Sequence, residues 1–559
     1  MRERARAVSQ HPSALGYSAL GVDYVRADDL DCAAEAFEKA LALDPGLWQA
    51  HYNLGLTLIR KRNYKDAAEQ FREALKQHPD SAEAHDSLGL CLQQLGRSEE
   101  AAAEFKSALR INPQLPNAAF HLARTLSSEG RYKAAVYYYQ QALALVSSDA
   151  KLAGKIRLEL ATAYASGKDY KHAIATLRQV LVAQPGSAPD AAEAHFDLGN
   201  VYAHDLNYPE AAREYEKALR LDPANDAARF SRAKALMIIH QVRQAVPDLK
   251  GYTKRHPQDA EGYAILGEAY KDLALYSKAV VTLERAIKLN AGNYSAHYNL
   301  GVSLEHLGRT DQAVAELQSA KKLKPDAPEV LYELGLIRSR EKQAHAARQD
   351  FDAFQEIKQQ GDAELKAGVL GEQGNAAMKN GQVRQAIVSY RAALKLNPKD
   401  TKLRYDLALA LAQQGNAEGE RGQLQQALHD DPSFSEAHNQ LGVCYMGESR
   451  LREAEREFKA AIKNDPGYAE AENNLGVLYG KEGRNPDALA LFERATTDDP
   501  RYAQAFLNWG LILASQGKYA EAIAKFRRAI DLNPHSSQAR TALKMAEAQQ
   551  APRKTPPSP

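Results

Sequence analysis

The chain has 559 residues, with 72 Lys and Arg against 71 Asp and Glu, so its net charge is +1. That balance gives no electrostatic footprint for nucleic acid or for an anionic membrane surface. At 44% apolar and 26% charged residues the composition is that of a folded globular protein, and no stretch approaches the ~20 apolar residues that span a bilayer.

Residues 1–13 form a basic N-terminal extension with no apolar core ahead of a cleavage site, which predicts a cytoplasmic location. A leader ahead of Met1 would make it periplasmic. From Ala14 onward prolines recur in one context, and the first three, Pro45, Pro79 and Pro113, are 34 residues apart. A period of that size marks a solenoid. With Pro45 at position 32, fifteen units fit. They begin at Ala14, Trp48, Ala82, Pro116, Gly154, Ala192, Asp226, Ala260, Tyr294, Pro328, Ala367, Thr401, Ser435, Ala469 and Ala503. Units one to ten occupy 14–361 and units eleven to fifteen 367–536, with short insertions at 150–153, 188–191 and 362–366. The last insertion is read as a soft boundary. Residues 537–550 read as a polar capping helix carrying Leu543 and Met545, and 551–559 as a disordered tail.

Within a unit the spacing predicts two helices. In unit two, Tyr64, Ala67, Ala68, Phe71, Ala74 and Leu75 share one face at helical spacing, and Pro79 stops that helix. Asp80-Ser81 with Glu83 opens the next helix as an N-terminal cap. Position 8 is Gly or Ala in all fifteen units, position 20 is Ala in fourteen, and position 24 is always Phe, Tyr or Leu. Small residues at 8 and 20 allow close approach, and the large residue at 24 fills the remaining gap. A single pair cannot bury its own apolar face, so the units must stack. Unit twelve is the predicted weak point, with Gly415, Gly419 and Gly422 around its second helix and Glu420 where Ala is usual.

Trp48, Leu54, Gly55, Ala67, Phe71, Ala74 and Pro79, repeated in register, resemble the tetratricopeptide repeat (TPR) family over about nine-tenths of the chain. The resemblance implies an all-α, right-handed superhelical solenoid of helix-turn-helix units that binds protein segments in its concave groove.

No motif for chemistry emerges. Cys32, Cys91 and Cys444 lie in separate units without metal-ligand spacing, and the sixteen histidines include no HExxH. Three cysteines exclude a disulfide scaffold and fit a reducing compartment. No catalytic, metal or cofactor-binding residues are assigned, and the chain reads as a non-enzyme.

The family resemblance puts positions 2, 6, 9 and 13 of each first helix on the groove. Position 6 is Asn at Asn53, Asn299, Asn474 and Asn508, and Gln440 adds an amide. An amide can donate and accept at once, which suits an extended peptide backbone. This is similar to the asparagine ladder in the TPR region of protein O-GlcNAc transferases, although nothing here resembles their catalytic domain. Units six to twelve carry acids on the same stripe: Glu193, Asp197, Glu261, Glu268, Asp272, Glu329, Glu333, Glu372 and Asp406. Four bases, Lys234, Arg340, Lys379 and Lys402, stand against them. Units one to five lean the other way, with Arg26, Arg60, Arg124 and Lys155 against Glu83 and Glu159. A wall of one sign focuses its field on what enters, so a basic, extended partner segment is expected in units six to twelve. The carboxylate clamp of heat-shock cochaperones is excluded: Asn200 and Asn375 are followed by Glu261 and Glu436 where that clamp needs lysine. The sequence reads as a protein-binding scaffold. The alternatives are a substrate-selecting arm of an enzyme complex, or a cell-envelope, pilus or secretion assembly factor.

Overall fold

In the computed structural model, residues 6, 8, 10–146, 149–183 and 188–550 are described. Ser147, most of the N-terminal extension and the tail 551–559 fall outside them. The described chain is helical and its turns are short. It divides into two compact units, residues 1–186 with 497–500, and 187–496 with 501–559.

The repeat boundaries follow from local chemistry. Helix A of unit two is Trp48–Arg60 and helix B is Tyr64–Gln77. Asn63 caps helix B by accepting from the Asp66 amide, and Ser81 caps the next helix by accepting from the Ala84 amide at 3.2 Å. Between helices A and B, position 15 adopts a left-handed backbone in all fifteen units. Seven of these residues are glycine, and eight are not, including Leu206 and Ala274. Glycine is the natural residue for that conformation. Gly415, with φ of +83°, is therefore a well-placed turn residue and not a defect of unit twelve. Gly419 sits in a first turn capped by Asn416 at 2.9 Å. Only Gly422 is an unfilled interior position.

The core repeats as the sequence pattern requires. A Cβ built on Gly55 would stand 2.8 Å from the Phe71 ring, on Gly442 2.6 Å from Phe458, and on Gly267 2.4 Å from Leu283. The large residue at position 24 thus sits directly on the bare backbone of position 8. Position 20 is buried throughout, Glu420 included.

A second tie joins the two helices of five units. His51, His85, His195, His297 and His438 all occupy position 4, and each reaches position 23 of helix B. His85 Nδ1 lies 2.6 Å from Glu104 and its Nε2 3.1 Å from the Pro79 carbonyl. His438 is placed the same way, 2.8 Å from Glu457 and 3.1 Å from the Pro432 carbonyl. Both partners of these two rings are acceptors, so both ring nitrogens must donate, and that requires the imidazolium. The Glu104 bond raises the His85 pKa; the His438 pKa is also raised, its hydrogen bonds outweighing an opposing burial. Glu457 is held below the usual carboxylate range, its bonds to His438 and Arg456 outweighing burial.

The insertions are absorbed as helix. Helix A is a turn longer in units five and six, at Ala150–Ser166 and Ala188–His204. The boundary expected at 362–366 is helical too. It lies inside one continuous 36-residue helix, Ala344–Lys379, that serves as helix B of unit ten and helix A of unit eleven. Ser537–Gln550 forms the capping helix, burying Ala539 and Ala546 and exposing Met545.

Candidate functional site

The stripe at positions 2, 6, 9 and 13 is positioned by the packing just described, because the opposite face of helix A is fixed against helix B. In units eight to ten its acids converge. The Tyr298 hydroxyl is pushed up to about 12 by burial and then by Glu333, Glu329, Glu268 and Asp272. The Tyr294 hydroxyl donates to Glu329 at 2.6 Å. Lys271 is one local cation, and Arg340, paired with Glu305 at 2.9 Å, is another. The Lys271 Nζ lies 3.0 Å from Asp272 and donates to Asn299 Oδ1 at 2.9 Å.

These carboxylates are not all compensated. Glu261 pairs loosely with Lys234 at 3.5 Å, and Lys402 donates to Asp406 at 2.5 Å. Burial raises Glu268 and Glu333 above the usual carboxylate range, and lifts Asp197, beside Glu193, to about 6. Desolvation without a matching cation disfavours the ionised form. Glu193 and Glu372 are exposed.

The amides are differently placed from one another. Asn299 is buried and satisfied, since it also donates to Ser295 at 3.0 Å. Gln440 does not stand free: its Nε2 donates to the buried Glu420 at 2.7 Å. Asn474 and Asn508 belong to a ladder that runs between units. Asn474 donates to Asn439 at 3.0 Å, Asn473 to Asn474 at 3.3 Å, and Asn508 to Asn473 at 2.9 Å. Asn439 and Asn473 sit at position 5, one residue from the stripe, and are buried. Asn53, in the first compact unit, is half-buried and its amide makes no hydrogen bond among the described residues.

Sequence reasoning missed three features here. Tyr294, Tyr298 and Lys271 lie off the stripe by register yet complete the acidic site. Asn439 and Asn473 carry the other half of the ladder. Position 9 becomes apolar toward the C terminus, through Leu409, Val443, Val477, Leu511 and, in register on the capping helix, Met545. Leu511 and Met545 are exposed. The last signal was legible in the repeat alignment, because the residues share one column.

Among the described residues no group of three or more His, Cys, Asp or Glu side chains could hold a metal ion. No described helix is long and apolar enough to cross a membrane. In the first compact unit the stripe's bases are engaged. Arg124 donates to Gln93 at 2.7 Å, Arg60 pairs with Asp28, and Lys155 lies 5.4 Å over the Phe120 ring.

Stacked helical pairs with a 34-residue period, small residues at 8 and 20 and one addressable helix-A face define a helical-repeat solenoid of the protein-binding kind. The tetratricopeptide repeat family model matches nine segments: 18–74, 54–116, 120–188, 158–226, 206–239, 266–328, 372–433, 421–469 and 473–537. The chain belongs to the tetratricopeptide repeat family. Among curated proteins it is similar to mouse DnaJ homolog subfamily C member 7, at 22% identity over 44% of this chain and 48% of that protein. It is also similar to mouse Superkiller complex protein 3, at 32% identity over 17% of this chain and 6% of that protein. The chain thus spans less than half the length of these relatives. Among solved structures, MamA aligns at 27% identity over 29% of this chain and 94% of its own, with a TM-score of 0.27. The Cut9–Hcn1 hetero-tetramer of APC/C aligns at 13% identity over 95% and 96%, with a TM-score of 0.30. No catalytic family is indicated by these matches. Nothing in them points specifically to the O-GlcNAc transferases.

Proposed function

We propose that this protein is a binding scaffold whose helix-A groove holds an extended, basic segment of a partner protein along units six to twelve. The observation that carries the reading is the set of desolvated carboxylates Asp197, Glu268 and Glu333, raised by burial and left without an adequate cation. A lysine or arginine from a partner supplies the missing charge. Lys271, already between Asp272 and Asn299, marks how a cation is received there. The Asn439–Asn474–Asn473–Asn508 ladder stiffens the neighbouring wall, and the apolar column from Leu409 to Met545 gives the segment an apolar continuation. The half-buried amides of Asn474 and Asn508 contact the partner backbone from a fixed position.

Affinity capture of the full chain from its native cell, with crosslinking and mass spectrometry, tests this. The expected product joins residues near 261–333 to a lysine-rich, extended stretch of the partner. An acidic stretch, or crosslinks confined to the convex helices, would overturn the assignment.

A further inference from the structure

The junction between units ten and eleven differs from the others among the described residues of the second compact unit. At the junctions seven/eight, eight/nine and nine/ten of the second compact unit, helix B of one repeat is covered by helix A of the next, and the covering residues are regular. Position 3 is buried in units two to ten and twelve to fifteen, for example Ala50, Ala296, Val330 and Leu403. In unit eleven it is Val369, and it is 54% exposed. Position 24 is buried in fourteen units, and the exception is Phe351 of unit ten, which is only partly buried. Positions 3 and 27 meet across a normal junction: a Cβ on Gly262 would stand 3.0 Å from the Tyr252 ring of the preceding unit. At the odd junction the corresponding residues are Val369 and Phe354. They lie in the same continuous helix. Fifteen residues at 1.5 Å rise separate them by about 22 Å. An unbroken helix cannot fold back on itself, so each half of this interface lacks its mate.

We propose that the mate is a second copy of this chain, placed by a two-fold axis at the middle of Ala344–Lys379. Two copies of the helix then run antiparallel, and the B half of one receives the A half of the other. This repeats between chains the interface the array makes within itself, and it closes on itself as an isologous contact must. The sequence of the exposed bridge fits such a pairing. With Gly361 on the axis, Ile357 lies opposite Leu365, Phe354 opposite Gly368, Glu356 opposite Lys366 and Lys358 opposite Glu364. The apolar residues meet and both charge pairs are of opposite sign. A Cβ on Gly361 or Gly368 meets nothing within 4 Å in the single chain, so both offer bare backbone for close approach. Leu365, 72% exposed, faces solvent in one copy and gains a partner in two.

Light scattering with size exclusion on the full chain tests the proposal. The expected mass is twice that of one chain, falling to that of one chain in Leu365→Glu/Val369→Glu with helical circular dichroism unchanged. Differently tagged Ile357→Cys and Leu365→Cys chains, mixed and oxidised, should give a disulfide between the two tags that neither variant gives alone and the unmodified chain does not give. A monomer over the whole concentration range overturns the proposal. So does a dimer that survives the glutamate substitutions, or one in which the mixed chains do not crosslink. A crosslink inside one Ile357→Cys/Leu365→Cys chain would show that the helix breaks and closes on itself, and also overturns it.

Discussion

Gly442→Ala replaces a poor helix former by the best one, yet it should destabilise unit thirteen. The exchange gains about 1 kcal/mol of helix propensity. The new Cβ would stand 2.6 Å from Cε1 and 2.7 Å from Cδ1 of Phe458. That ring is fully buried and has no free volume to enter, and overpacking of this kind costs about 1–3 kcal/mol. The net loss is up to about 2 kcal/mol once the propensity gain is subtracted. The array shows how the clash is relieved. Ala161, Ala233 and Ala408 occupy the same position and face Leu177, Leu249 and Leu424, while Ala123, opposite Tyr139, is the one alanine at this position that meets an aromatic ring. Phe458→Leu alone should cost about 1 kcal/mol, but in the Gly442→Ala background it should restore stability. The favourable coupling is then about 1–2 kcal/mol. Native-state amide exchange over residues 435–464 is the suitable assay, because repeat arrays open locally. A Gly442→Ala variant that is stabilising by the full helix-propensity gain, or a double variant that loses the sum of the two single losses, refutes the packing argument.

Gly422→Ala should act in the opposite sense, since Gly422 is exposed and a Cβ there meets nothing; exchange in residues 417–430 should slow, by about 1 kcal/mol of local stability. Removing the histidine tie in His438→Ala should cost about 1 kcal/mol near pH 5.5 and less at pH 8, as read by urea unfolding at the two values. The sign follows from linkage. The raised His438 contributes fully below about pH 6.5 and its share is lost as pH rises through the folded value, whereas the lowered Glu457 contributes above about pH 4.5 and its share is lost on acidification. Asn473→Ala should lower local stability by about 1 kcal/mol because it leaves the half-buried amides of Asn474 and Asn508 without this partner, whereas Asn53→Ala, with no bond to lose, should leave exchange in unit two unchanged.

The fold was legible because its cause is short-range and repeated. Ser81 capping, the stop at Pro79 and the Gly55–Phe71 contact are each readable in one unit and confirmed by their recurrence. Helix A begins where the repeat register places it in units two, three and four, at Trp48, Ala82 and Pro116. The unit ten to eleven junction was not legible. The insertion at 362–366 read as a soft boundary, but unit ten has Gln359 in place of the proline and also lacks the Asn290-Ala291-Gly292-Asn293 turn by which unit eight, likewise without that proline, ends its helix, so Gln359-Gln360 carries the helix through. The glycines of unit twelve misled for a related reason: Gly415 costs helix stability only if it is in a helix, and it is in a left-handed turn. Of the candidate site, the acidic stripe was visible as charge in register. The internal use of Gln440 and Asn474 was not, because their partners Glu420 and Asn439 lie in neighbouring units at positions off the stripe. The histidine ties could have been found. His at position 4 with Glu or Gln at position 23 is a register coincidence that scattered-histidine counting hides.

The central claim, a groove that receives a basic segment, is tested most directly by fluorescence-anisotropy titration of an extended lysine-rich peptide onto the full chain. The unmodified protein should bind it, at least about tenfold more weakly when ionic strength rises well above 0.1 M, where the Debye length is already about 10 Å. Affinity should rise with pH through about 6, as Asp197 gives up its proton. Glu268→Lys/Glu333→Lys should abolish binding without loss of helicity. Equal affinity for a glutamate-rich peptide of the same length, or binding indifferent to both salt and the charge reversal, would contradict the account.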